Sequence, residues 1–211
     1  MLVNRVFSLS RCNQRRRKTT LNDIERCEVI MSNKQPRIIL ITGIMASGKS
    51  TVAQLLAEQM DNSVHLRGDI FRKMIVNNRK EVSPNAEESE LDQLKLRYQL
   101  AAQAADLYFE AGFTVIVQDV VVGRVLDDFL SYVRNRPLYV VVLCPSTKAV
   151  SLREAARLKK GYGLWTVEDL HQVLLDETPR FGMWLDSTNM TPDETVSEIL
   201  ARLEDEGHYE N

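Results

Sequence analysis

One eight-residue segment limits the possible folds of this 211-residue chain more than any other feature. Residues 43–50 read Gly-Ile-Met-Ala-Ser-Gly-Lys-Ser and match the spacing G-x-x-x-x-G-K-[ST]. That motif needs a buried strand before it and a helix after it. Both are predicted, because residues 37–42 form an apolar, β-branched run and residues 50–60 carry apolar side chains at helical spacing. The segment therefore predicts an α/β domain with a phosphate-binding loop.

The residue types in this segment explain the chemistry that it predicts. Its glycines let the backbone curl so that successive N–H groups face phosphate oxygens, and the following helix N-terminus adds positive potential. A lysine then neutralises the β- and γ-phosphates, and a serine hydroxyl is a ligand for Mg²⁺. The predicted nucleotide-binding residues are Gly43, Ala46, Ser47, Gly48, Lys49, Ser50 and Thr51, with Ser50 also predicted as a metal ligand.

The rest of the chain alternates between strand and helix patterns. Further strands are predicted at residues 64–67, 114–118, 138–143 and 183–186, with amphipathic helical segments between them. Five strands alternating with helices indicate a parallel sheet with helices on both faces. The predicted fold class is thus a three-layer α/β domain over residues 37–211.

The formal net charge of −2 is an average over two different regions. Residues 1–37 hold 9 basic and 3 acidic residues, which leaves 18 basic and 26 acidic residues in 38–211. An acidic body argues against a general nucleic-acid surface. The basic arm, residues 1–36, is typical of a transit peptide or a nucleic-acid patch, but a flexible tail or an over-long start, with Met31 as the initiator, is favoured.

Membrane insertion and disulfide chemistry are not predicted from this sequence. No run approaches the roughly 18 apolar residues that a spanning helix needs. Cys12, Cys27 and Cys144 lie far apart and lack metal-ligand spacing. Reduced thiols and a cytoplasmic location are therefore expected.

Two aspartates are placed where predicted strands end. Asp69 follows the second strand and Asp119 follows the third, and carboxyl ends of parallel strands meet at the ligand crevice. Asp69 is predicted as a general base, with a helix N-cap as the alternative role, and Arg72 one turn later is predicted to bind substrate. Asp119 is predicted as a second Mg²⁺ partner, with a turn-forming role nearly as well supported.

A basic segment in the second half of the chain is predicted to form a lid. Arg153 and Arg157 are four residues apart and so share one helix face, and a flexible Lys-Lys-Gly-Tyr-Gly segment, residues 159–163, follows them. Arginines that reach a transferring phosphoryl group can accelerate the reaction by about 10³–10⁵. A solvated helix face is the alternative, but it seldom leads into a Gly-x-Gly hinge.

Other nucleoside-triphosphate-binding classes fit the sequence less well than a small kinase. A regulatory GTPase needs an Asn-Lys-x-Asp segment after a strand, and the Asn33-Lys34 pair precedes the loop and lacks the aspartate. Transport-type and ring ATPases need longer chains with further motifs. The residues alone therefore favour an ATP- and Mg²⁺-dependent enzyme that phosphorylates a hydroxyl group.

With these motifs in place, the chain resembles the small-molecule branch of the P-loop kinases, especially the chloramphenicol-phosphotransferase-like proteins. The resemblance covers about residues 37–205 and rests on residues 39–51, Gly68-Asp69, residues 115–119 and residues 153–157. It implies the sheet order 2-3-1-4-5, a general-base role for Asp69 and contacts between the lid arginines and nucleotide phosphates. Residues 77–98, where the acceptor pocket is expected, carry no motif of the group, which leaves the acceptor open.

Two alternatives to a small-molecule kinase are carried forward. Asp69 with Arg72 also resembles the Asp-x-x-Arg arrangement of polynucleotide 5′-kinases, although the acidic body argues against a long nucleic-acid track. An ATP-binding switch without acceptor chemistry is the alternative from another functional class. The sequence carries no signal for an oligomeric state.

Overall fold

The computed structural model describes residues 35–158 and 161–210. The predicted arm, including Met31, lies outside the described residues except for positions 35 and 36, so the division at residue 37 stays a prediction. The described strands are β1 (Ile38–Thr42), β2 (Ser63–Arg67), β3 (Thr114–Gln118), β4 (Leu138–Leu143) and β5 (Met183–Leu185).

The five strands form one parallel sheet in the order β2-β3-β1-β4-β5, which confirms the predicted fold class. The strand before the phosphate-loop motif is central, since Ile39 pairs with Ile116 on one side and with Tyr139 on the other. Every residue of β1, β3 and β4 is buried. Continuous burial explains why these strands read as unbroken apolar runs and not as alternating patterns.

Seven helices occur among the described residues and cover both faces of the sheet. They are α1 (Lys49–Glu58), α2 (Asp69–Lys73), α3 (Glu88–Glu110), α4 (Val125–Tyr132), α5 (Thr147–Ala155), α6 (Val167–Asp176) and α7 (Pro192–Glu206). Residues of α1 and α7 pack in one hydrophobic cluster, and residues of α3, α4, α5 and α6 pack in the other. The two clusters are the two halves of a three-layer architecture.

Local capping signals in the sequence correspond to helix starts in the structure. Ser146 and Thr166 each accept a backbone N–H at the start of α5 and α6. Thr191 and Glu194 form a reciprocal capping box at α7, with Pro192 as its first residue. Such residues favour a helix start, because a cap satisfies backbone donors that the helix itself leaves unpaired.

The parallel order brings the loops after β1, β2 and β3 to one edge of the sheet, and with them the residues singled out in the sequence. Each helix among the described residues is too short or too polar to cross a lipid bilayer.

Candidate active site

The loop between β1 and α1 has the backbone conformation that phosphate binding requires. Gly43, Ala46 and Gly48 have positive φ angles of 137°, 58° and 103°. A Cβ on Gly43 would lie 2.3 Å from the carbonyl oxygen of Leu143, so a side chain there does not fit. No side chain caps α1 among the described residues, and its first N–H groups therefore face the cleft uncapped.

Lys49 is buried under this loop. Its Nζ donates to the carbonyl oxygen of Ile44 at 2.7 Å, and Ile44 is itself fully buried in the core. Burial lowers the pKa of Lys49 to about 7, an effect that the charge of Asp119 opposes and those of Arg157 and Arg97 increase. The charged form of Lys49 is therefore poorly stabilised in the free protein, and a bound phosphate group would stabilise it.

The predicted metal partners are Ser50 at the start of α1 and Asp119 just after β3. The Ser50 hydroxyl donates to Gln118 Oε1 at 3.1 Å, and Gln118 is the last residue of β3. Asp119 follows it and is 2% exposed. Its Oδ2 atom is buried with no hydrogen-bond partner among the described residues. A carboxylate oxygen without a partner and a serine hydroxyl in the same cleft are oxygen donors of the kind that a hard cation prefers.

Asp119 is held in place by an arginine that the motifs did not predict. Arg97 Nη2 of α3 donates to Asp119 Oδ1 at 2.8 Å, and the backbone N–H of Val120 donates to the same oxygen at 2.7 Å. Burial raises the pKa of Asp119, and the Arg97 charge opposes this rise. Burial by itself would lower the pKa of Arg97, but Asp119, Tyr98 and Asp69 together outweigh it and the pKa is raised.

Gly68 makes room for this carboxylate. A Cβ added at Gly68 would lie 2.1 Å from Asp119 Oδ2. The φ of Gly68 is −60°, which any residue can adopt, so the close approach of Asp119 is the reason for a glycine here.

Asp69 begins α2 at the end of β2 and is paired with two cations. Arg72 Nε donates to Asp69 Oδ1 at 3.0 Å, and Lys73 pairs with the other oxygen. Burial alone would raise the pKa of Asp69, but hydrogen bonds from Lys73 and Arg72 outweigh it and the pKa is lowered. Arg72 also pairs with Glu81, so this predicted substrate ligand is already engaged by two carboxylates.

The two predicted lid arginines have different surroundings. Arg153 donates to the carbonyl oxygens of Ser47 in the phosphate loop at 3.3 Å and of Ser187 at 2.9 Å. Arg157 is about half exposed and pairs with Glu154 at 3.0 Å. Arg153 thus bridges α5 and the phosphate loop, which disfavours a purely solvated helix face.

The segment after α5 contacts both sides of the cleft through aromatic side chains. The Tyr162 hydroxyl donates to the carbonyl oxygen of Met45 in the phosphate loop at 2.8 Å. Trp165 Nε1 donates to the carbonyl oxygen of Val82 in the α2–α3 connection at 2.9 Å. Lys159 and Lys160 of the predicted lid lie outside the described residues. These two hydrogen bonds join the described part of the segment to the phosphate loop on one side of the cleft and to the α2–α3 connection on the other.

These residues line one cleft with a volume of about 1880 Å³. Nine Lys and Arg residues line it against five Asp and Glu, a surplus of four cations in a body whose net charge is negative. A site for a highly charged anion plus a second ligand fits this volume and charge.

The charged residues predicted for the site all line this cleft, namely Lys49, Asp69, Arg72, Asp119, Arg153 and Arg157. It is also lined by five predicted nucleotide-binding residues, Ala46, Ser47, Gly48, Ser50 and Thr51. Arg97 was missed by sequence reasoning. The sequence gives one indication that Arg97 is not a solvated residue. It precedes Tyr98 and lies four residues before Ala101, both of which are on the buried face of α3.

The donor set also suits magnesium better than a structural metal. Among residues 35–158 and 161–210, no group of three or more His, Cys, Asp or Glu side chains could enclose a metal ion. Magnesium usually keeps several waters and is bound by one or two carboxylates plus substrate phosphates. Ser50 and Asp119 match that pattern, and the roles of both residues stay predictions.

A family described as an AAA domain matches residues 39–173, well over half of the chain. The matched region runs from β1 through the phosphate loop and both aspartates to α6. A search of curated protein sequences finds no significant match.

Three solved structures with a similar fold are all small proteins. A sugar kinase from Janibacter sp. HTCC2649 has a TM-score of 0.61 at 19% identity over 79% of this chain and 93% of its own. The tunicamycin resistance protein of Deinococcus radiodurans has 0.60 at 15% identity over 84% and 100%. The APS kinase of Mycobacterium tuberculosis, solved with AMPPNP and APS, has 0.57 at 16% identity over 82% and 99%. At these identities the likeness shows a shared fold alone.

Proposed function

From the premise that the chain belongs to the AAA domain family, we propose that it is an ATP- and Mg²⁺-dependent phosphotransferase acting on a hydroxyl of a small molecule. The observation that carries the proposal is the position of Asp69 in the same cleft as the phosphate loop. A phosphate site alone fits many activities, whereas a strand-end carboxylate facing it fits transfer to a hydroxyl.

In the proposed reaction the acceptor oxygen forms a bond to the γ-phosphorus of ATP as the bond from that phosphorus to the bridging oxygen breaks. ADP is the leaving group, and the hydroxyl proton passes to Asp69. Positioning and charge neutralisation provide most of the catalysis in such transfers. The loop N–H groups and Lys49 would orient the phosphates, and Arg153 and Arg157 would neutralise charge on them.

Magnesium would be held by Ser50 and Asp119 with the phosphates, and when bound it would supply positive charge to the phosphate oxygens. The chain's own contribution is to fix these two oxygen donors. Gln118 accepts from Ser50, and Arg97 and the Val120 N–H hold one oxygen of Asp119.

The lowered pKa of Asp69 is compatible with a base in phosphoryl transfer. A carboxylate paired with Arg72 and Lys73 stays ionised at neutral pH and can accept a hydrogen bond from the acceptor hydroxyl. In a loose transition state the proton moves late, so orientation of the hydroxyl matters more than strong basicity.

The direct test is the Asp69→Asn variant assayed with labelled ATP and a panel of hydroxyl compounds. We expect transfer to fall by about 10²–10⁴-fold while AMPPNP binds with unchanged affinity. Asp128→Asn is a matched control, because Asp128 is exposed on α4 and does not line the cleft. Undiminished transfer by Asp69→Asn would remove Asp69 from the reaction.

The same panel separates the two alternatives. A 5′-hydroxyl oligonucleotide labelled in preference to every small molecule would identify a polynucleotide 5′-kinase, for which the Asp69–Arg72 contact is the relevant feature. Tight AMPPNP binding with no labelled acceptor across the panel would favour an ATP-binding switch.

A further inference from the structure

Arg97 occupies a position in the cleft that the nucleotide side does not explain. It reaches the cleft from α3, on the opposite face of the sheet from α1. Its side chain is only 11% exposed. Its Nε atom is buried and has no hydrogen-bond partner among the described residues. A buried guanidinium with an open donor is costly unless another group completes its hydrogen bonds.

Several of the other charged groups in the cleft are already engaged by carboxylates or by the phosphate loop. Asp69 is already neutralised by Arg72 and Lys73. Arg153 contacts the phosphate loop itself, and Lys49 lies beneath that loop. Among the described residues, Arg97 pairs with the carboxylate of Asp119 through Nη2, and its Nε has no hydrogen-bond partner.

Apolar side chains line the cleft together with Arg97, among them Leu94, Val122, Trp165, Leu170 and Val173. A cleft that combines a guanidinium with apolar side chains suits a ligand with a carbon body and one oxyanion group, because apolar surroundings lower the local dielectric and strengthen a charged hydrogen bond.

We propose that Arg97 binds an oxyanion group of the acceptor, a phosphate or a carboxylate, so that the substrate is an anionic hydroxyl compound. This inference rests on the proposed kinase function and adds the chemical class of its acceptor. Arg97 would direct the hydroxyl toward Asp69 by holding the charged end of the same molecule. Arginine suits this task because its planar fork pairs with two oxyanion oxygens at once.

The competing explanation is that Arg97 serves only to position Asp119. The two explanations differ in what the Asp119→Asn variant does. If Arg97 binds an anion, removing the charge of Asp119 leaves the guanidinium with less competition, and anion affinity stays equal or rises. If Arg97 is only a support for Asp119, changing either residue disturbs the same arrangement and has the same effect.

The binding test uses the full chain saturated with AMPPNP in the absence of Mg²⁺, so that the proposed metal role of Asp119 does not enter, and inorganic phosphate as the probe in calorimetry at constant ionic strength. We expect Arg97→Gln to weaken phosphate binding by about tenfold or more, since a charge-assisted contact is lost. Asp119→Asn should bind phosphate at least as tightly as the natural chain. Arg202→Gln on α7, outside the cleft, is the matched control and should leave binding unchanged.

The Arg97→Lys variant controls for a folding defect, because it keeps the positive charge but lacks the planar guanidinium group. Its thermal unfolding should match that of the natural chain while phosphate affinity falls. Equal weakening in Arg97→Gln and Asp119→Asn, or no phosphate binding to the AMPPNP complex, would overturn the proposal.

A transfer assay with paired acceptors separates this inference from the function on which it rests. The pairs differ only in the anionic group, for example glycerol with glycerol 3-phosphate and ribose with ribose 5-phosphate. Preference for the charged member supports the proposal. Transfer to neutral members alone contradicts the role of Arg97 while leaving the kinase function intact, and failure to bind AMPPNP contradicts the kinase function itself.

Discussion

The cleft has two walls that are built in different ways. The phosphate-loop wall is residues 43–51, and the acceptor wall, where the acceptor is proposed to bind, contains Asp69, Arg97, Asp119 and the α2–α3 connection. The phosphate-loop wall is formed by consecutive residues, as when Lys49 donates to Ile44 five residues earlier, and Arg153 and Tyr162 bond to this finished loop from distant parts of the chain. On the acceptor wall the contacts are distant in sequence. Arg97 pairs with Asp119 across 22 residues, and Trp165 reaches Val82 across 83.

This difference explains why one wall has a sequence signature and the other does not. A phosphate loop is set by consecutive residues and by backbone angles, so few sequences can form it. The acceptor wall is assembled by tertiary packing, and its side chains can change individually without altering the fold. Variants on the two walls should therefore have separable effects on nucleotide and acceptor.

The largest effect is expected on the phosphate-loop wall. Lys49→Met removes the buried ammonium group, and we expect kcat to fall by about 10²–10³-fold. AMPPNP affinity measured by calorimetry should fall as well. Lys95→Met, exposed on α3, is the matched control. Transfer within tenfold of the natural chain would show that Lys49 is not at the reacting phosphate.

A glycine behind the acceptor wall should give the next largest effect. A Cβ in Gly68→Ala would displace Asp119 and with it the contact to Arg97. We expect transfer to fall by about 10–100-fold, measured with labelled ATP, with nearly unchanged AMPPNP affinity in the absence of Mg²⁺. Gly112→Ala, where an added Cβ meets nothing within 4 Å but the φ of 88° strains the backbone, is a destabilised variant outside the cleft and controls for a general loss of stability. Equal losses in both variants would contradict the specific role of Gly68.

The two aromatic contacts of the segment after α5 offer a matched pair of milder variants. Tyr162→Phe removes the hydrogen bond to Met45, and Trp165→Phe removes the one to Val82. Each variant should lower kcat/KM by about fivefold, as expected for the loss of a single neutral hydrogen bond. Steady-state kinetics should show a higher KM for ATP in the first variant and for the acceptor in the second. The same parameter changing in both would mean that the segment does not distinguish the two walls.

The smallest expected effect is the uptake of a proton by Lys49 when a nucleotide binds. Because burial lowers the pKa of Lys49 to about 7, the free protein holds this group largely neutral at about pH 8. Phosphate raises the pKa again, so AMPPNP binding should take up nearly one proton at that pH and almost none at about pH 5.5. Calorimetry in buffers of different ionisation enthalpy measures the uptake as the difference from Lys49→Met. Equal uptake in the two proteins would contradict the lowered pKa.

Much of the fold was predictable because its signals are local. The buried strands appear as apolar runs, and Thr191 with Glu194 marks the start of α7 from four consecutive residues. The predicted sheet order came from the resemblance to P-loop kinases, and the structure confirms it. Strand order depends on long-range pairing, which no single segment of the sequence encodes.

The candidate site was predictable only in part, for the same reason. Asp69 and Asp119 could be singled out because strand ends converge in parallel sheets. Arg97 could not, since its neighbour Asp119 comes from another element and a lone arginine in a long helix resembles a solvated residue. The engagement of Arg72 by Glu81 was also missed, because Glu81 lies in a connection without a regular pattern.

The central position of β1 has a consequence for how the molecule can move. This strand is hydrogen-bonded on both sides, by β3 and by β4, and the phosphate loop follows it directly. Amides such as those of Ile39 and Ile41 are then expected to exchange with solvent only when the whole domain unfolds. Tyr162 and Trp165 pack on the hydrophobic cluster, and each joins one side of the cleft through one hydrogen bond. Amides of the segment after α5 are therefore expected to exchange with solvent earlier than those of β1, and hydrogen exchange measures the difference.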